Sequence, residues 1–288
     1  MVKSKMTREE FVEFNTELER LRNIKWKGYR NTLKEVGISY LGNVAQSSKL
    51  MHSFIHHINT YCVYLASADL SGFNVCPNSK MCKDNCLMGS GHNKLSRMSG
   101  NDNIDRPRII KTRLLIANKL IFMKLFMHEV EVEMRRAEVM GHDFSIRLNP
   151  TSDLSPDMFT YGKKNVLQLY PKVPIYDYTK VPSRLRMLDK YPNYDITWSL
   201  DGSEENEKIA KEYLEKGGRV AVVFGDAFPK KFLGFDVIDG DAYDARYKDG
   251  NVIVGLAFKK TANNHKNGKF VMPKTDFIVR NGDKRGEW

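Results

Sequence analysis

Tyr194-Asp-Ile-Thr-Trp-Ser-Leu200, the stretch Ser203 to Lys216, and Arg219-Val-Ala-Val-Val-Phe224 decide the fold of this chain. The two outer pieces are short, rich in aromatic and β-branched residues, and bounded by turn residues, so they read as strands. The middle piece reads as a helix, with Ser203-x-x-Asn206 as a weak cap. Two strands joined through a helix run parallel. The same alternation extends both ways. Upstream strands are expected at Thr60-Tyr-Cys-Val-Tyr-Leu-Ala66, Phe144–Asn149 and Val173–Thr179. Downstream strands are expected at Phe235–Ile238 and Val252–Phe258. Helices are expected over Lys111–Met140, closed by Gly141, over Ser155–Leu169 and over Ser183–Lys190. This is an α/β pattern with a mostly parallel sheet. Its strand spacing points to a complete or partial β/α barrel, TIM-like in layout. An open doubly wound sheet is the rival, and no G-x-G-x-x-G loop supports it.

Residues 1–59 read as a helical extension packed on the core, and residues 60–288 as the barrel-like domain. The first helix opens with a capping box, Thr7-Arg-Glu-Glu10, and a second runs from Tyr29 to Val36 and stops at Gly37. The net charge is +11 over 288 residues. That favours an anionic partner: an anionic small molecule, a nucleotide, or weakly and non-specifically a nucleic acid. No apolar run reaches the ~20 residues of a membrane helix, and no signal peptide precedes the chain, so a soluble intracellular protein without a membrane partner is expected.

Only four cysteines occur, and three fall in Cys76-Pro-Asn-Ser-Lys-Met-Cys82-Lys-Asp-Asn-Cys86. The C-x5-C-x3-C spacing departs from the paired C-x2–4-C spacing of tetrathiolate zinc sites. A cubane iron–sulfur cluster, [4Fe–4S], tolerates wider and unequal gaps on one loop. Three ligands would leave one iron open, or closed by a fourth ligand such as Cys62 or His92. Zinc, or no metal at all, remains the alternative. Cys62 itself lies in an apolar strand, where a free cysteine usually acts as a small core residue.

Barrel chemistry gathers at the carboxyl ends of strands. Those ends carry Asn149, Asp153, Asp177, Lys180, Asp239 and Asp241. Asp153, Asp177, Lys180, Asp239 and Asp241 are therefore the candidate catalytic residues. Arg106-Pro-Arg-Ile-Ile-Lys-Thr-Arg113 is the densest basic cluster and opens the long helix. Basic side chains there oppose the helix dipole, so an anion held by Arg108 and Lys111, with Asn149 nearby, would explain them. Both observations have plain readings: polar loops and solvated basic turns are common. No P-loop, G-x-S-x-G or H-E-x-x-H motif is present.

An ordered set of motifs resembles a known family. It comprises Cys86-Leu-x-x-Ser90-Gly91, Arg108-x-x-Lys111-Thr112-x-Leu114, Arg147-Leu-Asn149-x-Thr151-Ser-Asp153, Tyr176-Asp-Tyr-Thr-Lys180, Val220–Phe224 and Val237-Ile-Asp-Gly-Asp241. These resemble the phage-encoded gene product 88 family over roughly residues 40–275. The resemblance implies a viral protein working in the cytoplasm of an infected cell, and brings no assigned activity. The cysteine loop after the first strand also resembles the layout of radical S-adenosylmethionine enzymes, whose loop is spaced C-x3-C-x2-C. That likeness implies a radical-type or redox enzyme with S-adenosylmethionine as its cofactor. The competing class is a nucleic-acid-binding phage protein with a structural metal cluster.

Overall fold

The computed structural model describes residues 6–44, 47–86, 96, 99–259, 265–266 and 269–288. Helix α1 (Arg8–Asn23) has the expected capping box, and α2 (Tyr29–Val36) ends at Gly37 in the left-handed region. Helix α3 (Ser48–Ile55), capped by Ser47, leads into β1 (Ile58–Cys62). A short helix α4 (Lys80–Asp84) lies within the cysteine stretch.

The helix expected to run unbroken to Met140 is two helices, α5 (Asp105–Ala117) and α6 (Lys119–Met140). Asn118 separates them. Its Oδ1 accepts from the Ile121 N–H, and its Nδ2 donates to the carbonyls of Leu21, Arg22 and Ile24 at the end of α1. One side chain thus caps two helices, a tertiary contact that helical periodicity does not reveal.

Strand β2 (Asp143–Arg147) follows. The helix expected over Ser155–Leu169 is instead a 3-10 turn, a hairpin of β3 (Thr160–Tyr161) and β4 (Lys164–Asn165), and one helical turn, α7 (Val166–Leu169). Gly162 at φ 61° makes the hairpin turn that breaks the helix. Then come β5 (Ile175–Thr179), α8 (Pro182–Leu185), β6 (Tyr194–Ser199), α9 (Glu204–Glu215) and β7 (Arg219–Phe224). The remaining strands are β8 (Lys231–Phe232), β9 (Phe235–Asp239), β10 (Ile253–Ala257), β11 (His265–Lys266), β12 (Lys269–Phe270), β13 (Ile278–Val279) and β14 (Gly286–Glu287).

The fold is a mixed α/β structure around a mostly parallel sheet. Its strand order is β1-β2-β5-β6-β7-β10-β9-β8-β14, with β13 added to β7. Strands β1 to β9 along that path run parallel; β8 and β14 are antiparallel. A complete barrel is not formed among the described residues. Strand β10 inserts between β7 and β9, the far edge turns antiparallel, and the outer edge of β1 is taken by a bridge from Asn43 to Cys62.

The pleat gives the sheet two different faces. On one face Tyr61, Ile146, Ile175 and Ile196 join a core with Leu21, Val36, Leu114 and Phe122 from the helices. Trp198, Val220, Val222 and Phe224 continue that face into a second core with Ala210 and Leu214 of α9. On the other face the register aligns Thr60 with Ser145, Cys62 with Arg147, and Tyr178 with Thr197. That face is polar, and α3 and residues 241–249 cover it. Ser53 Oγ accepts from the Asp244 N–H, and the Tyr176 and Tyr247 rings lie 5.5 Å apart.

Glu129 of α6 holds the segment beside β1. Its carboxylate is buried and accepts four hydrogen bonds, from the N–H groups of Leu41 and Gly42 and the hydroxyls of Tyr29 and Tyr61. A Cβ at Gly42 would run into the Tyr61 ring. Glu129→Gln keeps the shape but turns an amide donor toward other donors. It is expected to cost about 3 kcal/mol in urea unfolding, the range for disrupting a buried charged hydrogen-bond hub. A loss below ~0.5 kcal/mol would show that the hub does not anchor this segment.

Candidate metal and anion site

The cysteine stretch docks at the carboxyl ends of β1, β2 and β5. Asp153 N–H donates to the Val75 carbonyl, and Asn78 Nδ2 donates to the Lys180 carbonyl at 2.7 Å. Cys76 Sγ accepts from the Ala68 N–H at 3.3 Å and lies 3.8 Å from the Thr151 carbonyl. Cys82 stands on α4 and Cys86 just after it, both partly exposed. Burial pushes the Cys76 thiol up to about 12 against the Ala68 hydrogen bond, and charges on Asp153, Cys86 and Cys82 add to the rise. The three sulfur atoms therefore share one neighbourhood. Among the described residues, however, no group of three or more His, Cys, Asp or Glu is gathered around a single metal position. The donor chemistry fits a thiophilic centre, whereas the ligating geometry is not assembled.

Cys62 belongs to a different environment. It is fully buried on the polar face of the sheet, and its thiol is pushed well above its ordinary value by burial, then by Asp244. His92 lies outside the described residues.

The segment leaving β1 joins the thiol loop to α5. Ala66 N–H donates to Thr112 Oγ1 of α5, and two residues later Ala68 N–H donates to Cys76 Sγ. Arg108 and Lys111 stand one helical turn apart on α5. The Arg108 guanidinium is 5.2 Å from the Tyr64 ring centre, and Lys111 Nζ is 4.5 Å from that of Tyr40. Lys111 is only 4 % exposed, and none of the described carboxylates forms a salt bridge with it. Burial lowers its ammonium to about 8.

The five expected catalytic residues do not converge. Asp153 and Asp177 lie with Arg184 on the helix-packed side. Arg184, itself 1 % exposed, donates to Asp153, to Asp177 at 2.5 Å and to the Tyr194 hydroxyl. Asp153 also accepts from Thr179 Oγ1 and the Lys180 N–H. Asn149 donates its N–H and Nδ2 to Asp177, and its Oδ1 accepts from Ser152 and Leu154. These three side chains are spent on structure, leaving Asn149 no capacity for a cofactor. Lys180 projects from the opposite face, with Nζ 2.7 Å from Ser199 Oγ. Asp239 accepts from the Asp241 N–H in a turn, and Asp241 pairs with Lys49 and Lys259. A groove along α9 is lined mostly by charged side chains, of which Lys211 pairs with Glu207.

Residue-by-residue reading missed the polar face itself. Arg147 donates through Nη1 to both oxygens of Asp244, at 2.7 and 2.8 Å, and lies 4.8 Å from the Tyr178 ring centre. The signal was there at every second residue: Thr60 and Cys62 on one strand, Ser145 and Arg147 on the next.

The sequence profile of the family described as gene product 88 matches residues 26–272. The chain belongs to the gene product 88 family. No curated protein and no solved structure shows significant similarity to it. Among the described residues no helix is long and apolar enough to cross a membrane.

Arg184→Ala would leave two buried carboxylates facing each other without their cation. A loss of about 3–5 kcal/mol is expected, as for other broken buried pairs. Because Asp153 supports the Cys76 loop, Cys76 should also react faster with a thiol reagent in this variant. An unchanged labelling rate would separate the ion cluster from the cysteine loop.

Proposed function

We propose that this member of the gene product 88 family is a phage iron–sulfur protein of the infected cell's cytoplasm, acting on an anionic substrate. In this reading Cys76, Cys82 and Cys86 hold a [4Fe–4S] cluster at the carboxyl edge of a partial β/α barrel. The observation that carries it is the pair of hydrogen bonds from Ala66 and Ala68. They put the thiol loop and the Arg108–Lys111 pair on the same short segment after β1. Arg108 lies in the first turn of α5, where free N–H groups add to the attraction for an anion, and Lys111 follows one turn later. Arg108 and Lys111 would bind the anionic group of the substrate, with Tyr40 and Tyr64 walling the site. Lys180 and Ser199, on the polar face of the sheet, would contact a substrate that extends across it. A cluster with one open iron would supply one-electron chemistry. Asp153 and Asp177 serve by holding the loop in place through Arg184 and are not themselves reacting groups. S-adenosylmethionine is the co-substrate to test first, because of the loop's place after the first strand.

Anaerobically purified protein is expected to be brown, to absorb near ~400 nm and to contain iron and acid-labile sulfide. Replacing any of Cys76, Cys82 or Cys86 with Ala should abolish the colour, while Cys62→Ala should retain it. Stoichiometric zinc without sulfide would sink the reading. Saturable DNA binding at physiological salt, lost on changing Arg106, Arg108, Lys111 and Arg113, would favour a nucleic-acid-binding protein instead.

Lys111 gives the anion site a pH signature. Its ammonium is held near 8 instead of the ordinary 10.5, so it loses its charge as pH rises through about 8. Affinity for an anionic ligand should fall over that interval, and Lys111→Met should be weak and flat across it. Stability moves oppositely: a charged buried amine is unfavourable below pH 8, and that cost is relieved as pH rises from about 8 toward 10.5. Calorimetric titration and thermal unfolding between pH 7 and 10 measure both effects.

A further inference from the structure

The Arg147 guanidinium is held on one side only. Nη1 reaches both oxygens of Asp244. Asp244 is itself fixed by the Tyr176 hydroxyl at 2.9 Å and through its own N–H to Ser53. The plane of the guanidinium is set by the Tyr178 ring 4.8 Å away. Nε is buried and makes no hydrogen bond. Nη2 has no partner among the described residues either, and the side chain keeps 15 % exposure. Nε and Nη2 form the edge of arginine that matches two oxygens of a carboxylate or phosphate. A donor buried without a partner is costly unless something else fills its place.

We propose that Arg147 anchors an oxyanion, a carboxylate or a phosphate, on the polar face of the sheet between β1, β2 and β5 and the covering segment 241–249. This site is distinct from the Arg108–Lys111 pair and does not require a metal cluster. The fork is preorganised: Asp244 fixes its rotation and Tyr178 its plane, so little ordering is left to the ligand. Burial pushes the Asp244 carboxyl up, but Arg147, Lys49 and the Tyr176 hydrogen bond outweigh it and hold the group below the usual carboxylate range. At neutral pH the Arg147–Asp244 pair is therefore close to neutral in sum. A monoanionic carboxylate should suit it better than a phosphate dianion. Lys49, paired with Asp241, and Tyr64 are the neighbours whose charge and hydroxyl respond to this pair.

The test uses the full-length protein as purified, labelled with ¹⁵N, reading the Arg147 Nε–H signal assigned by through-bond correlation to its own backbone. Acetate and inorganic phosphate are titrated separately at pH 7, with chloride keeping the ionic strength constant. A saturable shift of this signal is expected, at lower concentration with acetate. A response to phosphate alone would support the anchor and identify its ligand as a phosphate. Arg147→Lys keeps a cation opposite Asp244 but removes the fork, and should weaken binding by at least about tenfold in calorimetry. No shift with either anion, or a shift that chloride alone reproduces, would overturn the proposal. The cysteine-loop reading would still stand, because this measurement does not involve the thiols.

Discussion

Arg184 ties together side chains on or just beyond three neighbouring strands, β2, β5 and β6, in addition to the ladder pairing that sets their register. Its guanidinium meets Asp153 beyond β2, Asp177 within β5 and Tyr194 at the start of β6. All of this is removed from water. Such a cluster is favourable only when every donor and acceptor is matched, and here Asn149, Thr179 and the Lys180 N–H complete it. The loop that Asp153 ends is the loop against which Cys76 rests, through Val75 and Thr151. The position of the thiols thus depends on an ion cluster buried on the opposite side of the sheet from Lys180.

A parallel sheet is usually covered on both faces by apolar helices. Here only one face is. The other face carries hydroxyl, thiol and guanidinium groups, and is covered by one short helix and the turn-rich segment 241–249. That asymmetry concentrates the polar chemistry. Arg147, Asp244, Tyr176, Thr60 and Ser145 form one connected network. Lys49 and Asp241 pair beside it, at the start of α3. Apolar packing supplies rigidity from the helix side, and the polar side is free to differ in chemistry.

The two candidate anchors follow one design. Lys111 sits on Tyr40, Arg108 on Tyr64, and Arg147 on Tyr178. An aromatic face stabilises a cation without neutralising it, as a carboxylate would. Lys111, which forms no salt bridge with a described carboxylate, therefore keeps an attraction for an incoming anion although it is buried.

Local pattern alone determined a good deal. Two-residue and helical periodicities located the strands of the parallel sheet, the capping box of α1 and the stop at Gly37, because these depend on residues a few positions apart. The ordered motifs also identified the family. The cysteine spacing marked the thiol loop, since its signal lies within eleven consecutive residues. Other features were decided only by contacts distant in sequence. Asn118 splits a helix because the end of α1 arrives beside it. Among the described residues the sheet does not close because its edges meet other partners: Asn43 bridges to β1, and the far edge ends in the antiparallel strands β8 and β14. Asp177 and Lys180, three residues apart, face opposite sides of the sheet, so one joins an ion cluster and the other reaches Ser199. Arg147 looks like one strand arginine among several until the fold brings Asp244, 97 residues away, to one edge of it and leaves the other edge unpaired.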